Sequence, residues 1–172
     1  MAPSFLHRLR HDRRGATMVE FALVALPAFM LMLGMVEIGL MTLDRSVVEG
    51  ATREAARRIR TGAAQVSGDA MGTFRTTFCA NLFNLYDCDG FRFDVRTFPS
   101  FDAISLPTVQ FDAAGMPSNT VFQPGGAGTV TTVRVIHRHN FGTPLVGSIM
   151  GGGASNSVPV TATAVFKTEP YQ

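Results

Sequence analysis

Charge is what this chain of 172 residues has least of: 16% of its residues are Asp, Glu, Lys or Arg, against 46% hydrophobic. A disordered chain needs the opposite balance, so this sequence must bury much of its apolar surface. Its length suffices for one domain of ordinary size and a short accessory segment. An excess of basic charge is missing from the body as well. Residues 1–15 hold four Arg and one Asp, and the remainder holds 11 basic and 12 acidic side chains. A nucleic-acid-binding domain carries its surplus Lys and Arg on the folded face that meets phosphate, so nucleic acid is excluded as a partner.

The chemistry-bearing residues are equally scarce. There are two cysteines, Cys79 and Cys88, and a zinc site would need a second pair at suitable spacing. No Gly-x-Ser-x-Gly, His-Glu-x-x-His or phosphate-binding Gly-Lys-Ser/Thr loop occurs. His137-Arg-His139 could recruit a metal only with further ligands, and no recognisable acidic motif accompanies it, so the pair reads as surface histidines. No catalyst, cofactor or metal centre is expected, and there is no internal repeat.

Long apolar runs, in contrast, are present. Residues 21–41 contain a single charge, Glu37, among Leu, Met, Val, Ala and Phe. As a helix they would rise about 31 Å, close to the hydrocarbon thickness of a bilayer. Arg8, Arg10, Arg13 and Arg14 precede the run, and only Asp44 and Arg45 follow it closely. That bias predicts a cytoplasmic N-terminus with the rest of the chain on the far side. A secretory signal would have a shorter core and a small-x-small cleavage site, and neither is seen. Pro27 removes a backbone donor within the run, which predicts a kink or a local melting of the helix.

A plain anchor leaves Glu20 unexplained at the mouth of the span, because an acid near hydrocarbon is kept where it has a partner. Cutting the chain between Gly15 and Ala16 would create one. The new Ala16 amine would be positive, and Glu20 would be the fifth mature residue. In a stack of such helices, Glu20 of one subunit could neutralise the amine of its neighbour and so reward correct register. The uncut alternative pairs Glu20 with Arg13 or Arg14. Glu37 either bonds a neighbouring helix in such a stack or marks the outer membrane interface.

The basic leader ending in Gly15, the acid five residues on and the immediate apolar helix resemble a class III signal cut by a prepilin peptidase. The string Arg13-Arg14-Gly15-Ala16-Thr17-Met18-Val19-Glu20-Phe21-Ala22-Leu23 resembles the TadE family of Tad (tight adherence) pilus minor pilins, or pseudopilins. Gly34-Met35-Val36-Glu37-Ile38-Gly39 resembles that family's second acidic position, and the Ala/Arg-rich residues 51–58 fit it too. The tail at 166–171 resembles the family more weakly. Ordinary type IV pilins usually begin their mature chain with Phe, where Ala16 stands here. Major Flp pilins are far shorter and carry Glu-Tyr in place of Glu20-Phe21. A TadE-like or TadF-like minor pilin is therefore implied, together with a prepilin peptidase, other Tad pilins, the Tad assembly machinery and inner-membrane lipid as partners. The implied role is in Tad pilus biogenesis and surface adhesion. The alternatives are an uncleaved single-pass protein with a periplasmic binding head, and an anchored hydrolase using His137 or His139.

Beyond the span, Val47, Val48, Ala51, Ala55 and Ile59 fall on one helical face, with Arg45, Glu49, Arg53, Arg57 and Arg60 elsewhere. Glu49–Arg53 and Glu54–Arg58 are expected as i,i+4 ion pairs, and Gly62 as the stop. This predicts one helix of about 45 residues, or two with a hinge near Asp44. A helix is expected over 71–86, carrying Phe74, Phe78, Leu82 and Leu85. Alternation predicts strands over 91–97, 129–137 and 158–167, with turns at 124–128 and a Gly-rich loop at 147–153. The whole is an α+β arrangement: leader 1–15, membrane and assembly half-helix 16–43, amphipathic half-helix 44–64 and periplasmic head 65–172. Outside the cytoplasm Cys79 and Cys88 are expected to bond, for up to about 2–3 kcal/mol.

Overall fold

The computed structural model describes residues 15–151 and 156–171. The arginine-bearing leader, residues 1–14, lies outside them, as do Gly152 and Gly153 of the expected loop.

A single helix, α1 (Ala16–Arg60), forms the backbone of the molecule. Its Ala, Leu and Met content favours helix, and Arg57, Arg58 and Arg60 in its last turn complement the negative end of the helix dipole. The chain leaves α1 through Gly62, whose φ of +80° is left-handed. A side chain there would also collide with the ring of Tyr171, so glycine is required twice over. There is no hinge at Asp44. Nor does the helix melt at Pro27, one of the two outcomes expected there: helical geometry is continuous through it. The proline removes one bond, toward the Leu23 carbonyl, and long runs of helix-forming residues on either side keep propagation favourable.

After a single turn, α2 (Ala63–Val66), comes α3 (Ala70–Ala80), capped by the Asp69 carboxylate, which accepts from the Gly72 N–H at 2.8 Å. α3 ends six residues before the expected 86. Phe83 and Asn84 take left-handed backbone angles, so the chain turns there and leaves Phe83 and Leu85 exposed while Leu82 stays buried.

Strands β1 (Arg92–Phe98), β2 (Val130–Asn140) and β3 (Ser157–Lys167) form one antiparallel sheet in the order β1-β2-β3. Between β2 and β3 lies a short helix, α4 (Pro144–Met150), where part of a loop at 147–153 was expected. Pro144 presets its first turn. The expected inward faces hold: Phe91, Phe93 and Val95 are buried, and Val160 and Ala162 are buried on β3. Registers Phe93↔Val135, Val95↔Val133 and Val135↔Ala162 align these apolar residues across the sheet.

The core fills the space between α1, α3 and this sheet face. Val48, Ala51, Ala55 and Ile59 come from α1, Phe74 and Phe78 from α3. The phenylalanines meet edge to face, Phe74 with Phe93 at 5.3 Å and Phe78 with Phe91 at 5.0 Å between ring centres. Three links fix how the sheet stands against α1. The Glu169 N–H donates to the Arg60 carbonyl at one end, His137 meets Asp44 lower down, and the Thr143 N–H meets Glu37 lower still. β2 therefore descends along α1 toward its apolar half.

Candidate functional site

The first 21 residues of α1, 16–36, carry no buried side chain; 19 are exposed, and Ala25 and Gly34 are half-covered. Apolar residues predominate, including Phe21, Leu23, Leu26 and Met35. This is the one helix among the described residues long and apolar enough to cross a membrane. At about 1.5 Å per residue the bare stretch is about 31 Å long. Gly15 and Ala16 stand at its very start. Glu20 lies one turn in, exposed and without a hydrogen bond or ion pair among the described residues. Four residues separate it from Ala16, so both lie on one helical face. Phe21 is exposed beside it.

Glu37 ends the bare stretch. It is the first α1 residue to be buried, and its Oε1 accepts from the Thr143 N–H at 2.6 Å, at the entrance to α4. Its partner is thus in its own chain; a bond to a neighbouring helix is not needed to satisfy Oε1. Oε2 is buried with no bond among the described residues.

Two turns on, seven residues after Glu37, Asp44 is fully buried under β2. His137 Nε2 lies 2.9 and 3.0 Å from its two oxygens, and His139 Nδ1 lies 2.7 Å from Oδ2. With the carboxylate ionised and acceptor-only, those two nitrogens carry the hydrogens that Asp44 accepts. The remaining nitrogens, His137 Nδ1 and His139 Nε2, are buried without hydrogen-bond partners among the described residues. Phe91 packs on the His137 ring at 4.7 Å between centres. Burial works to raise the Asp44 pKa, but hydrogen bonds and electrostatic attraction from His137 and His139 outweigh it and hold the carboxyl below its ordinary range. Burial, together with the negative Asp44, pushes the Tyr86 phenol up to about 12.

The expectation of surface histidines is therefore wrong. His137 is buried and His139 nearly so, because a strand alternates its faces and both residues sit on the inward one. Their acid comes from 93 residues earlier, a separation no local motif records. A signal did exist, since Asp44 stands four residues before Val48 on the buried stripe of α1. Among the described residues no group of His, Cys, Asp and Glu is arranged to hold a metal ion.

On the opposite sheet face, Asp94 and Arg134 stand opposite one another in register, bonded through Arg134 Nε at 3.1 Å. Arg96 Nε adds a bond at 3.0 Å and the Val121 N–H one at 3.1 Å. Burial works to raise the Asp94 pKa, and these donors together lower it. On α1 the ion pairs are Arg45–Glu49 at 2.8 Å and Arg57–Glu54 at 2.9 Å, not the expected Glu49–Arg53 and Glu54–Arg58. Exposed partners three and four residues away on either side compete on nearly equal terms, so spacing alone does not choose among them. Cys79 and Cys88 are joined as a disulfide with Cα atoms 5.8 Å apart, linking α3 to the turn before β1.

Residues 15–57 match the family model for TadE-like protein. This is a TadE-like segment. Its match opens on Gly15, one residue before α1, and closes three residues before α1 ends. The TadE-like part is thus the helix, and the sheet, α3 and α4 lie beyond the match. The likeness to the TadE-like family therefore covers residues 15–57 and reaches no further along the chain. No curated protein and no solved structure matches the chain.

Proposed function

We propose that this chain is a TadE-like minor pilin that takes part in Tad pilus biogenesis and surface adhesion. In this reading a prepilin peptidase cuts after Gly15. α1 then spans the inner membrane with its N-terminus cytoplasmic, and the sheet-bearing head stands in the periplasm. Assembly with other Tad pilins runs through residues 16–43, with Glu20 neutralising the Ala16 amine of a neighbour. The chain is the substrate of the peptidase and the partner of the assembly machinery.

The observation that carries this is the bare apolar helix that begins at Ala16. It offers an exposed Glu20, without a partner among the described residues, one turn from the proposed cut, and it commits none of its first 21 side chains to the head's core. A helix made only to anchor the head has no use for that acid. Charge on either partner would be costly in a packed apolar stack unless neutralised, which makes the pairing a register device.

Sequencing the N-terminus of membrane-extracted protein checks the first step: a chain beginning at Ala16 is expected, and an intact leader in functional protein overturns it in favour of an uncleaved anchor. Glu20→Gln should be cut normally but fail to join assembled pili, counted by microscopy and by immunoblot of the sheared fraction. Wild-type incorporation of that variant would refute the pairing.

A further inference from the structure

The exposed apolar surface of the head includes a second patch, on α4. That helix turns Val146 and Gly147 inward and leaves Leu145 46%, Ile149 75% and Met150 41% exposed. Leu145 and Ile149 are four apart, so they share one face. A helix facing water carries charge on its outer face. α4 carries none, and no Asp, Glu, Lys or Arg occurs between Arg138 and Lys167.

The position of α4 explains that gap. Its entrance residue, Thr143, donates its N–H to Glu37, where the bare stretch of α1 ends. Gly142 also sits against the Glu37 carboxylate. β2 descends along α1 from Asp44 to Glu37, so α4 hangs at the foot of the head, level with the top of the span. Its apolar face then lies beside the point where the exposed apolar stretch of α1 ends.

We infer that α4 is a membrane foot, laying Leu145, Ile149 and Met150 into the headgroup–acyl boundary of the leaflet facing the head. The inference rests on α1 spanning a bilayer. Interfacial helices need a polar face toward water, but here the head itself covers the other face of α4. Three side chains cannot supply the roughly 1,200 Å² or more that a stable protein pair buries. Beside a helix already anchored no such threshold applies, because each apolar group immersed adds its transfer free energy without a new association cost. The foot would fix the tilt of the head on the membrane.

The test uses the full chain in phosphatidylethanolamine–phosphatidylglycerol vesicles. Cys79 and Cys88 are bonded to one another, so an introduced cysteine is the single free thiol for a fluorophore. Ile149→Cys probes the foot, Leu26→Cys the middle of the span, and Val66→Cys the far end of the head; all three positions are exposed, so labelling spares the core. Quenching is read with nitroxide lipids labelled at shallow or deep positions and with aqueous iodide. The label at 149 should be quenched several-fold more by shallow nitroxide than the label at 66, and shielded from iodide. Iodide access at 149 equal to that at 66, with 26 still lipid-quenched, overturns the foot and leaves the span intact. Shielding of 149 from both quenchers assigns the face to protein and also overturns the foot. Iodide access at 26 removes the span, and the foot falls with it.

Discussion

Asp44 concentrates the residue-scale physics of the chain. A buried carboxylate without partners would be neutralised or would unfold its surroundings, and this one is held charged by two imidazole hydrogen bonds. Its pKa lies below the ordinary value of about 4, so its contribution to stability is complete above that range. The contribution is lost as pH falls through the depressed folded-state value. Asp94 has the same sign and adds its own acid limb. Asp44→Asn should cost about 1–3 kcal/mol at neutral pH, since the amide offers a donor where both rings already donate. It should also flatten the acid limb between neutral pH and about pH 3, because Asn does not titrate there. Urea unfolding of the detergent-solubilised chain, followed by circular dichroism at both pH values, measures the two effects. An unchanged acid limb would mean that Asp94 and other carboxylates carry it.

At the scale of elements, legibility followed how local the determining contacts are. The length of α1 and the three strands were readable because periodicity and turn residues act within a few positions. The early end of α3 was not, because it depends on left-handed angles at Phe83 and Asn84, which an apolar pattern conceals. α4 was hidden for a related reason: Gly147 and the glycines that follow the helix argue for a loop, and its entrance is held by the Thr143 bond to Glu37. The disulfide holds the first of these irregular parts, tying the end of α3 to the turn before β1. It closes a short loop between α3 and β1, across a sequence separation of 9, so constraining the unfolded chain should be worth about 2 kcal/mol. Cys79→Ser with Cys88→Ser should lower the unfolding free energy of the head by about that amount without altering α1. Equal urea midpoints for the wild type with and without reductant would show that the link adds nothing.

The whole molecule divides at Glu37. Every α1 residue that enters the core lies at or beyond it: Asp44, Val48, Ala51, Thr52, Ala55, Ala56 and Ile59 are buried, while residues 16–36 give the head nothing. This explains why the sequence disclosed the apolar half of α1 more readily than the polar site. An apolar helix is written in consecutive residues, whereas the Asp44–His137–His139 cluster exists only once β2 lies against α1. The same division makes a prediction about truncation. A chain beginning at Glu37 retains the core and should be soluble, with cooperative urea unfolding monitored by circular dichroism. A chain beginning at Gly62 loses Val48 and Ile59, each worth about 1.5–3 kcal/mol of burial, together with four small buried residues and the Asp44 partner of both histidines. That loss rivals the whole stability of an ordinary domain, about 5–15 kcal/mol, so this fragment should not fold. Cooperative unfolding of the shorter fragment would show that the sheet and α3 are self-sufficient, and that the upper half of α1 rests on the head without completing it.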